Sequence, residues 1–225
     1  MVEYLQTLQD IFLAEDRYLY ILNGLGFSVG VTLFAAILGI LLGILLALLK
    51  LSQSKFLSQI ALLYIDIVRG TPAVVQLMIL ANIVFVGALR ETPILLVAGI
   101  AFGINSGAYV AEIIRAGIEG LEKGQTEAGR ALGLSYAQTM KFIIIPQAIK
   151  KILPALVSEF ITLLKETSIV GFIGGVDLLR SANIITSQTY RGVEPLLAVG
   201  IIYLILTSIF TILMRKVEKG LKVSD

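Results

Sequence analysis

The sequence predicts an all-α polytopic membrane protein with five transmembrane helices and one polar segment between the third and fourth. Three observations carry this expectation. Hydrophobic residues make up 57% of the 225-residue chain against 15% charged, the mean hydropathy is +0.91, and the apolar residues gather in long runs. A water-soluble domain carries about 25% charged residues, and a helix needs about 20 mostly apolar residues to cross the hydrocarbon.

The first run, "YLYILNGLGFSVGVTLFAAILGILLGILLALL" from Tyr18 to Leu49, holds no charge and stops at Lys50. The second, Phe56 to Leu89, is interrupted by Asp66 and Arg69, and the third, Pro93 to Ala111, is charge-free until Glu112. The fourth, Ile152 to Ile173, is weakened by Glu159, Lys165 and Glu166; the fifth, Leu196 to Met214, ends at "RKVEK". Spans are therefore expected at about 20–50, 57–88, 93–117, 152–173 and 195–215 of a single domain covering 1–225, with the polar segment at about 120–146. Gly39 and Gly43 form a small-xxx-small pair suited to close helix packing.

Composition narrows the chemistry. The chain has no cysteine and no histidine, which removes disulfides, thiol nucleophiles, the usual zinc, iron and copper ligands and the Ser-His-Asp triad. No metal site and no catalytic centre are expected. A net charge of +2 gives no reason to expect a nucleic-acid partner. The N-terminal "MVEYLQTLQDIFLAEDRY" lacks a basic region followed by an apolar core, so no cleavable signal peptide is expected.

The positive charges set an orientation. Alternate connections hold Lys50 and Lys55, then Lys123, Arg130, Lys141, Lys150 and Lys151, then Arg215, Lys216, Lys219 and Lys222, which is eleven of the eighteen Lys and Arg. The opposite side holds Arg17, Arg90, Arg180 and Arg191. The expectation is an N-terminus outside, a C-terminus inside, and residues 127–146 in the cytoplasm.

That segment, "EAGRALGLSYAQTMKFIIIP", reads as a short surface helix starting at Glu127 with Thr126 as its cap. Gly133 breaks it, Ser135 can cap a second turn, and Pro146 marks the approach to the fourth span. These residues alone leave a plain cytoplasmic linker open. Glu127-Ala128-Gly129, then Gly133 four residues on, then Ile143-Ile144-Ile145-Pro146 resemble the "EAA" motif of ABC importer permeases, with Gly129 in place of the second alanine and Ile145 in place of leucine. "RGTPAVVQ" (Arg69 to Gln76), "AYVAEIIRAGI" (Ala108 to Ile118) and "LLKETSIVGFIG" (Leu163 to Gly174) are similar to permeases of the histidine/arginine/glutamine uptake family.

The resemblance implies a type I ABC importer transmembrane domain in a prokaryotic plasma membrane. It also implies partners: a second permease subunit, two cytoplasmic ATPases that bind ATP and magnesium, and an extracytoplasmic binding protein. Glu127, Ala128, Gly129, Gly133 and Pro146 would couple to the ATPase. No G-x-x-x-x-G-K-[ST] loop occurs in the chain, so a separate subunit is expected to hydrolyse ATP and this chain needs no cofactor of its own. A self-paired permease is preferred over a paralogous pair.

Ionisable residues inside a bilayer are functional candidates by default. Asp66 and Arg69, three apart, can neutralise each other; Glu112 and Arg115 share that spacing near the end of the third span and read as structural. Glu159 has no cation three or four residues away and needs a partner from another helix or a ligand. Thr71 beside the Gly70–Pro72 break, Asn105, Ser106 and Thr162 can share a cavity with it. Asp66, Arg69, Thr71, Asn105, Ser106, Glu159 and Thr162 are thus the candidate substrate site. Two acids favour a basic amino acid; a glutamine-type substrate is the alternative. An ion-coupled transporter using Asp66, Glu112 and Glu159 as a relay, or an assembly subunit without transport, are competing readings that the motif disfavours.

Overall fold

The computed structural model describes residues 2–86 and 91–222, all helical or in connecting turns, with no strand among them. The expected end of the second span at 87–88 and the outward-facing Arg90 lie outside the described residues.

A short amphipathic helix, α1 (Val2–Phe12), precedes the long α2 (Tyr18–Lys50). The second hydrophobic run becomes two helices, α3 (Lys55–Arg69) and α4 (Ala73–Val86). They are bent by 102° at Gly70–Pro72, where one bent span was expected from the sequence but not a near right angle. Next come α5 (Ile94–Glu119), α6 (Lys123–Ala131) and the single turn α7 (Tyr136–Thr139). A π turn over Met140–Ile144 leads without a break into α8 (Ile145–Glu166). This helix starts seven residues before the expected span at 152, with Pro146 in its first turn directly after the π turn. A 3₁₀ stretch (Thr167–Ile173), α9 (Leu178–Thr189) and α10 (Val193–Lys222) complete the chain. Both α1 and α9 are absent from the sequence-derived spans because each is too short and too polar to cross.

The helices containing Tyr18–Lys50, Ile94–Glu119 and Val193–Lys216 are each long and apolar enough to cross a bilayer, and α3 with α4 makes a fourth crossing if taken as one bent span. The 22 residues of α8 reach about 33 Å. Glu159, Lys165 and Glu166 lower its hydropathy, as expected from the sequence.

The centre of the bundle is the α2–α5 pair. Along α2, Val31, Ala35, Gly39, Gly43 and Ala47 recur every four residues and are buried; in α5, Gly99, Gly103 and Gly107 do the same. The two glycine rows interlock. A Cβ on Gly39 would stand 2.9 Å from Ser106 Cβ, and one on Gly43 would stand 2.4 Å from Val110 Cγ1. Conversely, Cβ atoms on Gly103 and Gly107 would come within 2.7 Å and 2.9 Å of Leu38 and Leu42. Small residues let helix backbones approach where lipid removes any hydrophobic drive to associate, so the Gly39/Gly43 pair serves helix packing.

At the Tyr18 end of α2, α9 is locked against the bundle. Asp177 caps α9 through Oδ1, which accepts from the N–H of Leu179 (2.7 Å) and Arg180 (3.0 Å), while Oδ2 accepts from Gly171 N–H (3.0 Å). Burial pushes this carboxyl above its ordinary pKa, and the backbone donors pull against that. Ser28 on α2 accepts from Leu178 N–H at 3.1 Å, and Ser181 donates to Tyr20 O at 2.7 Å. The α9 helix ends at Tyr190 in left-handed conformation, φ 57°, which costs an L-residue about 1–2 kcal/mol.

The interlock makes a prediction. Gly43→Val should destabilise the protein by about 1–3 kcal/mol, the usual range for overpacking. Gly26→Val, where an added Cβ meets nothing within 4 Å, should leave stability unchanged or raise it. Thermal unfolding of both variants in one detergent checks the difference.

Candidate functional site

Four interactions radiate from the stretch of α5 between Ile104 and Tyr109, less than two turns of helix. Ile104 O accepts from Tyr64 Oη of α3 at 2.8 Å. Asn105 Nδ2 donates to Gln76 Oε1 of α4 at 3.0 Å, and Ser106 Oγ donates to Glu159 Oε1 of α8 at 2.8 Å. The ring of Tyr109 lies under the Arg69 guanidinium, 5.2 Å from its carbon to the ring centroid. Successive helical residues turn by about 100°, so adjacent positions of α5 reach different neighbours.

The break between α3 and α4 is held by side chains. A helix end leaves its last carbonyls without partners, and Pro72 biases Thr71 away from helical geometry. Gln76 answers this: its Nε2 donates to Val68 O and to Thr71 Oγ1, both at 2.7 Å, and Thr71 Oγ1 donates to Ile67 O at 2.9 Å. The donors run one way, from Asn105 to Gln76 to Thr71 to the end of α3. Gln76 is missing from the sequence-derived site, since a single glutamine in an apolar helix carries no charge signal. Its place four residues after Pro72, just past a helix break, is the signal that points to it.

Glu159 is half-buried beside a cavity of about 50 Å³ lined by Ala36, Ile40, Ser106, Val110 and Leu156. Asp66 and Arg69 form no ion pair among the described residues, so the mutual neutralisation allowed by their spacing does not occur; Arg69 stacks on Tyr109 instead. Asp66 is exposed, and Thr162, also exposed, donates to Ser158 O at 3.0 Å within its own helix. Of the seven substrate candidates, Ser106 and Glu159 meet directly, Thr71 and Asn105 meet through Gln76, and Arg69 stacks on Tyr109 of α5. Asp66 and Thr162 stand apart from these contacts. Glu112 accepts from Lys50 Nζ at 3.0 Å and from Arg115, which also bonds Glu119. That ion-pair chain ties the ends of α2 and α5 and is structural.

The motif segment is held by caps and by hydrogen bonds to its neighbours. Its helix α6 begins at Lys123, four residues before the expected start at Glu127, after Glu122 in extended conformation. Thr126 therefore lies inside the helix and caps nothing. The end matches the expectation: Gly133 has φ 83°, Leu134 N–H bonds Gly129 O at 3.2 Å, and Gly133 N–H bonds Arg130 O at 3.0 Å. This is the Schellman arrangement, for which glycine is favoured. Ser135 and Gln138 form a reciprocal capping box for α7. Gly129 is buried, and a Cβ there would stand 2.8 Å from Thr139 Cγ2 and 2.9 Å from Ile143 Cδ1. That contact explains glycine where the motif has alanine. Gln147 Nε2 donates to Gln125 Oε1 at 3.1 Å, and Lys151 Nζ to Gly120 O at 2.8 Å, which pins the segment to α8 and the end of α5. Glu127, Ala128, Ala131 and Pro146 are exposed, as is Leu132 at 81%.

The family model for the binding-protein-dependent transport system inner membrane component matches residues 39–223. The chain belongs to this family of permeases. The permease is 44% identical over 210 residues to the arginine transport system permease protein ArtQ of Bacillus subtilis (strain 168), covering 92% of this chain and 94% of that one. It is 39% identical over 212 residues to the putative glutamine transport system permease protein GlnP of Rickettsia bellii (strain RML369-C), covering 93% and 96%. Among solved structures, a crystal structure of an amino acid ABC transporter with histidines superposes with a TM-score of 0.86 at 43% identity, covering 93% of this chain and 98% of that chain. The inward-facing MetNI methionine ABC transporter, at 17% identity and a TM-score of 0.74 over 91% and 97%, shares the fold. The permease is thus a type I ABC importer transmembrane domain, as the motif implied.

Replacing Gln76 tests the break. Gln76→Leu in the permease leaves the Val68 carbonyl and Asn105 amide without their partner, at about 1–3 kcal/mol for buried unsatisfied groups. We expect a lower unfolding temperature and faster amide exchange across residues 67–76, with α6 exchange unchanged. Exchange at 67–76 equal to wild type would show that Gln76 does not hold the break.

Proposed function

We infer that the permease is the membrane subunit of an ATP-driven importer that admits polar amino acids, basic ones foremost. Glu159 carries this reading. An ionised side chain at the centre of a membrane helix costs about 2.5–3.5 kcal/mol on insertion scales, and one serine hydroxyl offsets only part of that. A cationic substrate side chain would complete it, with Asp66 as a second acid. Broken helices in membranes present free N–H groups to substrate carboxylates, and the start of α4 beside Thr71 suits that role, with Arg69, Asn105, Ser106 and Thr162 supplying further polar contacts. The 39% identity to a glutamine-type permease supports a second reading, in which Glu159 receives a side-chain amide.

The importer reading assigns the remaining parts. ATP and magnesium belong to two separate ATPase subunits, and the α6–α7 segment with Glu127, Ala128, Gly129, Gly133 and Pro146 docks on one of them. A second permease subunit, preferably an identical chain, completes the pathway, and an external binding protein delivers substrate. The distribution of positive charges supports an orientation with the motif end in the cytoplasm, the N-terminus outside and the C-terminus inside.

Two variants test the assignment in the complex reconstituted into liposomes. Glu159→Gln should raise the KM for arginine or lysine uptake about tenfold or more, since it removes one ionic contact, while glutamine uptake changes little and assembly is intact. Unaltered KM for every substrate in both Glu159→Gln and Asp66→Asn would return selectivity to the binding protein. Gly133→Asp puts a side chain where nothing lies within 4 Å, so inside the chain it costs only left-handed backbone, about 1–2 kcal/mol. It should abolish substrate-stimulated ATP hydrolysis and uptake together. An ATPase rate that still rises with substrate would make the segment a linker.

A further inference from the structure

The end of the bundle opposite the motif segment carries the most exposed aromatic among the described residues, Tyr190, at 94%. It also holds φ 57° at the C-cap of α9. That position favours glycine, and a bulky residue there is an outlier that the surroundings must enforce. They do. Tyr190 N–H donates to Thr186 O at 2.8 Å, Arg191 N–H donates to Thr189 Oγ1 at 3.3 Å, and Arg191 pairs with Glu194 at 3.4 Å. Arg17 Nε donates to Gln188 Oε1 at 3.2 Å, which ties the α1–α2 connection to the α9–α10 turn. That connection contains Glu15 and Asp16, each at φ 53°. All three non-glycine residues of positive φ among those described therefore sit on one pair of linked loops. Strained backbone of this kind gathers where a surface has a task.

We propose that Tyr190 anchors the docking of the extracytoplasmic substrate-binding protein, with Glu15, Asp16 and Arg191 as the polar rim. The proposal rests on the importer reading with this end outside. The matching family is binding-protein-dependent by description, so a folded protein must visit one end of the bundle. Interface hot spots are rich in tyrosine and arginine within a polar rim. Leu13 and Val193, 58% and 68% exposed, add apolar area on the same two linked loops. A lipid-facing tyrosine needs no left-handed backbone, and Gln188, Arg191, Glu194 and Glu15 make this neighbourhood polar.

The test uses the complete transporter in liposomes with substrate-loaded binding protein. Tyr190→Gly relieves the backbone while removing the anchor. The half-saturating concentration of binding protein should rise about tenfold or more, with basal ATP hydrolysis unchanged and the unfolding temperature equal or higher. A wild-type response of Tyr190→Gly overturns the docking proposal, while binding-protein-dependent uptake by the unaltered complex keeps the importer reading. Absence of that stimulation in the unaltered complex overturns both. A photo-reactive benzoylphenylalanine at position 190 should cross-link to the binding protein; capture of lipid or of the second permease instead overturns the proposal.

Discussion

The close approach of α2 and α5 is the constraint on which the rest depends. With no hydrophobic force to press helices together inside lipid, contact must come from shape, and two interlocked rows of glycine provide it. Gly39 stands against Ser106, so backbone proximity at that point fixes the hydroxyl that meets Glu159. The same turn of α5 fixes Asn105, and through it Gln76 and the bend between α3 and α4. A displacement of α5 along this seam would therefore disturb both halves of the candidate site at once.

Hydrogen-bond accounting explains why the bend is stable. Any backbone carbonyl left bare in a membrane costs several kcal/mol, and a right-angle break frees several. The amide of Gln76 and the hydroxyl of Thr71 replace the helical N–H donors that Pro72 interrupts. Both side chains thereby become part of the backbone's support. The bend at Gly70–Pro72 is a built feature with its own donors, and it presents the start of α4 toward the region of α5 that carries the polar residues.

Much of this was legible in the sequence, for physical reasons that also mark where legibility ended. Runs without charge reveal membrane helices because hydrocarbon tolerates little else, so α2, α5 and α10 lie close to where composition puts them. Gly133, Ser135 and Pro146 could be placed because each answers a local demand of the backbone: a left-handed turn, a cap, a first helical turn. The start of α6 at Lys123 was missed, since Lys-Gly-Gln-Thr is only mildly helical and tertiary contacts through Gln125 decide it. Gln76 had a local signal in its place after Pro72, and Ser106 and Glu159 could be grouped as intramembrane polar residues. The bonds Asn105–Gln76 and Ser106–Glu159, however, depend on which helices adjoin, which no local pattern encodes. The stacking of Arg69 on Tyr109 overrode the sequence-local option of pairing with Asp66 for the same reason.

One continuous helical path joins the motif segment to Glu159. From Gly129 the contacts run to Thr139 and Ile143, and the π turn continues directly into α8. Gln147 and Lys151 hold the first turns of that helix to α6 and to the end of α5. Glu159 lies fourteen residues after Ile145 on the same helix, about 21 Å along its axis at 1.5 Å per residue. A force applied at the exposed face of α6 is therefore delivered along a continuous helix to the carboxylate, with no hinge between except Pro154, which removes one hydrogen bond inside α8. Pro154 stands five residues before the acid on this helix. The seam keeps the bundle together, and α8 joins the motif segment to the buried end of the candidate site.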